Sequence, residues 1–116
     1  MQMQNPLPRP VVIAHRGCSA THPENTLAAF KAAIAAGAHM IELDVNLSAD
    51  RRLVVIHDRT VNRTTNGRGA VRALTMAQLA RLDAGSWFDA RFQAERIPTL
   101  AQVLETVSGR LMVNIE

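Results

Sequence analysis

The sequence predicts an α/β fold with a parallel sheet whose strands end on charged groups, as those of a (β/α)8 barrel do. Three observations carry this. Four apolar, β-prone runs recur along the chain: Val11-Val12-Ile13-Ala14, Met40-Ile41, Leu53-Val54-Val55-Ile56 and Leu111-Met112-Val113-Asn114-Ile115. Each finishes on groups that titrate or bind metal, namely His15-Arg16-Gly17, Glu42-Leu43-Asp44, His57-Asp58 and Glu116. Helix-periodic stretches lie between the first two runs and before the fourth. In such barrels the active site sits at the carboxyl ends of the strands and draws on several of them. The chain has 116 residues, whereas a closed barrel needs about 250.

Residues 1–10 are polar and hold three prolines, which reads as a disordered lead-in. The first strand follows at about 11–15. Pro23 suits the first turn of a helix, where its missing N–H costs nothing. Leu27, Phe30 and Ile34 recur at helical spacing, and Gly37 terminates them. A second strand at about 39–45 completes a βαβ unit. Glu42 and Asp44 stand two apart and share one strand face, leaving Ile41, Leu43 and Val45 to pack under the outer helices. Residues 46–52 are too short for a crossover helix, so a third strand at about 53–57 follows with an unusually short link. Val11, Ile13, Val55 and Val113 alternate onto the face that fills a barrel interior.

Residues 59–73 are rich in Thr, Asn, Arg and Gly, with Asn66-Gly67 as a turn signal. Thr75 and Gln78 form a capping box for a short helix to about Leu82. Asp83 to Arg96 is irregular, anchored by Trp87, Phe88 and Phe92. The stretch 59–97 is too long for an ordinary loop and reads as a functional insertion over the site. Pro98 precedes a second capping box, Thr99 and Gln102. Leu100, Val103, Leu104 and Val107 make the apolar stripe of that helix, and Gly109 ends it. One domain over 11–116 is the simplest organisation.

The chain is 47% hydrophobic and 20% charged, an ordinary globular composition. Aromatic residues are only 3%, so aliphatic packing dominates the core. The net charge is +3, and Lys31 is the single lysine among 13 basic residues. No block of like charges and no aromatic stacking set accompanies the arginines, which argues against nucleic acid. Cys18 is the only cysteine, so no intrachain disulfide forms. It reads as a small filler beside the first strand. No apolar run reaches the ~20 residues of a membrane span, and the opening residues lack a signal-peptide pattern. The expected location is the cytoplasm.

Glu42, Asp44 and Glu116 offer only oxygen, which selects Ca²⁺, Mg²⁺ or Mn²⁺ over zinc. An Arg-paired structural network would use the same carboxylates, and both readings stay open. His15 and His57 at strand ends suit a general acid and a general base flanking a phosphoryl group. Arg16 can clamp a phosphate oxygen through its planar fork, and Gly17 permits a tight turn. Asp58 would orient His57 or the loop rather than act directly. His22 and His39 have weaker claims, His39 lying at the far end of its strand.

At these residues the sequence resembles the N-terminal half of the glycerophosphodiester phosphodiesterase family. The matching pieces are His15-Arg16-Gly17, Pro23-Glu24-Asn25-Thr26, Glu42-Leu43-Asp44-Val45, His57-Asp58, Thr64-Thr65-Asn66-Gly67, Ile97-Pro98-Thr99-Leu100 and Asn114-Ile115-Glu116. The resemblance implies the N-terminal half of a (β/α)8 TIM barrel with an insertion after the third strand, which fits residues 59–97. It implies hydrolysis of glycerophosphodiesters to glycerol 3-phosphate and an alcohol, with a divalent cation, Ca²⁺ or Mg²⁺. By motif, Glu42, Asp44 and Glu116 resemble the metal ligands, His15 and His57 the acid–base pair, and Arg16 the phosphate contact. Glu24 matches the Pro-Glu-Asn-Thr motif as scaffold or substrate contact. The family continues past this glutamate with the rest of the barrel. Self-association or a missing C-terminal half is therefore expected to complete it. The alternative is a non-catalytic half-barrel that binds metal or phosphate, or serves as a partner subunit.

Overall fold

The computed structural model describes residues 10–116. The expected lead-in therefore lies almost wholly outside the described residues. Strand β1 (Ile13–His15), helix α1 (Leu27–Ala35), strands β2 (Met40–Leu43), β3 (Val45–Leu47) and β4 (Leu53–Val55), helices α2 (Met76–Leu79) and α3 (Leu100–Val107) and strand β5 (Met112–Ile115) follow in chain order. Strands β1, β2 and β5 form a parallel sheet in the order β1-β2-β5. Both junctions are crossovers: α1 links β1 to β2, and a long excursion ending in α3 links β2 to β5.

Helices α1 and α3 cover one face of this sheet. Ile41 and Leu43 point toward them, as their alternation predicts, and are fully buried with Phe30, Ala33, Val103 and Val107. Burying each large side chain contributes about 1.5–3 kcal/mol, so Phe30→Ala would cost about 3–5 kcal/mol. Thr26 caps α1, its hydroxyl accepting from the Ala29 N–H at 3.3 Å. Both predicted capping boxes are present, at Thr75 with Gln78 and at Thr99 with Gln102.

Three sequence expectations are corrected. The run at 53–57 is not a third parallel strand. It supplies β4, which pairs antiparallel with β3 in the register Val45↔Val55 and Leu47↔Leu53. The short 46–52 link cannot cross a sheet, but it closes a hairpin: Arg51 takes a left-handed φ of 63° and the Ser48 N–H donates to the Arg52 carbonyl at 3.0 Å. The excursion therefore departs after the second parallel strand, not the third. Second, Pro23 lies outside α1, where its carbonyl accepts from the Thr26 hydroxyl at 2.7 Å. Third, Val55 and Val113 do not line the open face. Val113 registers with Ile41 and packs against the helix-side core, to which Val55 also belongs. The uncovered face instead carries the register row Ile13, Met40 and Met112.

The excursion has a small core of its own, formed by Val54, Ile56, Val61, Val71, Leu79, Ala84 and Ile97. It includes 3-10 turns at Val71–Ala73 and Ala90–Phe92. Helix α2 stops at Leu79, one turn short of its expected end. Among the described residues no helix is long and apolar enough to cross a membrane.

Candidate active site

Strand β1 ends at His15, and the chain then turns sharply. The Arg16 N–H donates to the Glu42 carbonyl at 2.8 Å, and the Arg16 carbonyl accepts from the Asn25 N–H at 2.9 Å. Arg16 and Asn25 both occupy the left-handed region, with φ of 58° and 59°. Non-glycine residues held there cluster at functional sites. Gly17 follows at φ 79°, and a Cβ on it would stand 2.7 Å from the backbone carbon of Ala29. Glycine is the residue that lets α1 approach the strand end this closely.

His15, Glu42 and Asn114 form one register row across the three parallel strands. Asp44 and Glu116 extend it by one step, since the Glu116 N–H donates to the Leu43 carbonyl and the Val45 N–H donates to that of Glu116, each at 2.9 Å. The Glu42 side chain is only 6% exposed, against 65% for His15, whose Nε2 lies 3.6 Å from Glu42 Oε1. That buried oxygen has no hydrogen-bond partner among the described residues. Burial holds the Glu42 carboxyl above its ordinary range, and the neighbouring Asp44 and Glu116 push the same way.

Asp44 is differently placed. Its Oδ2 lies 3.3 Å from Arg16 Nε and accepts from Asn25 Nδ2 at 3.1 Å. Arg16 also reaches Glu24, its Nη1 standing 3.4 Å from both carboxylate oxygens. From Glu24 the chain of charges crosses to the excursion. Arg63 donates from Nη1 and Nη2 to the two Glu24 oxygens at 3.0 and 2.9 Å. Its Nε and Nη2 also donate to the two Asp58 oxygens, both at 3.0 Å. Asp58 in turn meets His57 Nδ1 at 2.8 Å. The Arg63 fork, with help from His57, lowers the Asp58 carboxyl to about 2. The paired carboxylates hold the Arg63 guanidinium in its charged form. Glu24, Asn25, Thr64 and His57 line one small cleft between the sheet end and the excursion.

Residues 15–116 match the model of the glycerophosphoryl diester phosphodiesterase family. The chain belongs to that family. It is 55% identical over 107 residues to a glycerophosphodiester phosphodiesterase of Caldanaerobacter subterraneus subsp. tengcongensis, covering 91% of this chain and 44% of that protein. It is 49% identical to the glycerophosphodiester phosphodiesterase of Bacillus altitudinis, with 90% and 44% covered. Among solved structures, the glycerophosphodiester phosphodiesterase of Agrobacterium tumefaciens superposes with a TM-score of 0.88 at 48% identity, covering 90% of this chain and 45% of that one. An Oleispira antarctica phosphodiesterase in complex with its product sn-glycerol-3-phosphate gives 0.89 at 44% identity, covering 91% and 43%. The chain thus spans less than half the length of these relatives.

The structure brings this family member's His15, Arg16, Glu24, Glu42, Asp44 and Glu116 to one end of the parallel sheet. His57 joins them from the excursion, through Asp58, Arg63 and Glu24, rather than from a sheet strand. Among the described residues no three His, Cys, Asp or Glu side chains converge into a metal-holding group. Glu42, Asp44 and Glu116 line one face side by side, and Arg16 and Asn25 hold Asp44. The two readings open from the sequence thus divide between residues: Asp44 is Arg-paired, whereas Glu42 and Glu116 have no Arg partner among the described residues. The donor set still fits a hard cation. It is all oxygen, and its most buried oxygen lacks any hydrogen bond.

Three residues of this site escaped sequence reasoning. Asn25 lies inside the Pro-Glu-Asn-Thr motif, yet nothing local shows that it reaches Asp44. Asn46 donates from Nδ2 to the Ile56 carbonyl at 2.8 Å, fixing the start of the His57 segment. Arg63 is the third, and its position immediately before Thr64-Thr65-Asn66-Gly67 was the available signal. Cys18 packs partly buried against the helix-side core. His39 Nδ1 accepts from the Val12 N–H at 2.9 Å, at the amino end of the sheet. His22 packs against Phe92, the rings tilted by 49° with centroids 5.2 Å apart.

Proposed function

We propose that this chain carries the metal-binding wall and the acid–base pair of a hydrolase. The reaction is cleavage of glycerophosphodiesters to glycerol 3-phosphate and an alcohol. The observation that carries this reading is the buried, unpartnered Glu42 oxygen in a row of carboxylates at the carboxyl ends of parallel strands. A buried carboxylate is costly unless it is paired or binds a cation.

Glu42, Asp44 and Glu116 would hold a divalent cation, Ca²⁺ or Mg²⁺. When bound, that ion supplies positive charge against the phosphoryl oxygens. Arg16, already directed toward Asp44, would hold a phosphate oxygen on the same side. His15, exposed at the strand end, would move a proton at its ring nitrogens. His57 would serve from the excursion, with Nδ1 toward Asp58 and Nε2 available for a proton. Glu24 would keep both arginines in place.

The test is hydrolysis of glycerophosphocholine by the purified chain with Ca²⁺ or Mg²⁺, read as glycerol 3-phosphate released. Metal-dependent release is expected from a form whose open face is covered, by self-association or by further chain. Metal binding with no hydrolysis in such a form would replace this reading with that of a non-catalytic half-barrel.

A further inference from the structure

We propose that Arg63 is a positioning residue for the reaction, the clamp that sets His57 against the carboxyl end of the sheet. This rests on the reading of His57 as an acid–base group.

The geometry is specific. One guanidinium uses Nε and Nη2 on both oxygens of Asp58, and Nη1 and Nη2 on both oxygens of Glu24, all at 2.9–3.0 Å. Such two-pronged pairing fixes orientation as well as distance, and a lysine could not reproduce it. Its two partners belong to different parts of the fold. Glu24 precedes α1 and contacts Arg16, whereas Asp58 follows β4 and contacts His57. Arg63 itself sits further along the excursion, its guanidinium 5.9 Å from the centre of the Trp87 ring. It therefore joins the phosphate-facing arginine to the histidine through two carboxylates. Without it, Glu24 and Asp58 would face each other as like charges and the His57 arm would lose its side-chain tie to the sheet end. Asn46 would remain, holding only backbone carbonyls of that arm, Asp58's among them.

The test compares the parent chain with R63M and R63K by histidine-ring and carboxyl NMR. In R63M the Asp58 carboxyl is expected to titrate nearer its ordinary 3.8 than the parent's value of about 2. The His57 ring signals are expected to shift and broaden, with those of His22 and His39 unchanged. R63K, which keeps the charge without the fork, should fall between. In a form that turns over substrate, R63M should lower kcat by about 10–100-fold, as the loss of a group that orients a metal-ligating side chain does, with KM altered far less. His57 signals coincident with the parent's in a folded R63M would overturn the proposal. So would loss of the fold in both variants, which would make Arg63 a purely structural residue. If no form hydrolyses glycerophosphodiesters yet the His57 signals respond, the functional reading fails and the clamp stands.

Discussion

Arg16 and Asn25 are paired left-handed residues: the Asn25 N–H donates to the Arg16 carbonyl at 2.9 Å, and both side chains reach the same Asp44 carboxylate. The left-handed conformation costs most residues about 1–2 kcal/mol, and asparagine tolerates it better than most. Asn25→Ala should therefore destabilise the chain by about 2 kcal/mol, combining backbone strain with a lost hydrogen bond. Asn25→Gly should recover the backbone part alone. Urea unfolding of the two variants separates these contributions.

Glu42→Ala and Asp44→Ala are each expected to abolish divalent-ion binding. The motive is their shared face beside Glu116. Calorimetric titration with Ca²⁺ and with Mg²⁺ checks this. Affinity equal to the parent's in both variants would remove them from the metal site.

Glu42 also predicts an unusual pH dependence. Its folded carboxyl is raised above the ordinary 4.5, chiefly by burial. The protonated form is thus favoured in the folded chain, a contribution fully present below about pH 4.5 and lost as pH rises through the folded value. In the absence of divalent ions, Glu42→Gln should raise the unfolding temperature at pH 7 and leave it nearly unchanged at pH 4. Thermal scans in chelator at the two pH values measure the difference. A Glu42→Gln chain less stable than the parent at pH 7 contradicts the assignment.

His57→Ala, in a form competent for turnover, should lower the rate by about 10²–10⁴-fold while divalent-ion binding survives. Cys18→Ser, at a packing position, should change neither. Near-parent release of glycerol 3-phosphate by His57→Ala would exclude the histidine from proton transfer.

The uncovered sheet face should drive association. Ile13 and Met112 are 53% and 41% exposed, and among the described residues β1 and β5 are the outer strands of the parallel sheet. Light scattering is expected to show oligomers that Ile13→Lys with Met112→Lys reduces. A dilution-stable parent monomer would count against this.

Periodicity carried most of the frame. Both capping boxes, the stripe of α3 and the burial of Ile41 and Leu43 could be read because each depends on spacing within one element. The hairpin of β3 and β4 was not readable in the same way. Leu53-Val54-Val55-Ile56 has the composition of a buried strand whichever direction it runs, and only the short link hinted at a reversal. The carboxylates and histidines stood out because charged groups follow apolar runs. Arg63 did not, since its partner Glu24 lies 39 residues away and it is one of nine arginines between Arg51 and Arg96.

The excursion between β2 and α3 leaves and returns at almost the same place. The Asp44 carbonyl accepts from the Ile56 N–H at 3.0 Å, the Val55 N–H donates to the Pro98 carbonyl at 2.9 Å, and Val54 bridges Thr99. Once such a root is stitched shut, lengthening the segment beyond it adds only about 0.6 kcal/mol of closure entropy per doubling. The segment beyond the root can then change length while the carboxylate wall beneath stays in register, although not at Asn66 and Gly67, where Asn66 pairs with Asp83 through its N–H and its Oδ1 and a Cβ on Gly67 would stand 2.7 Å from Leu82.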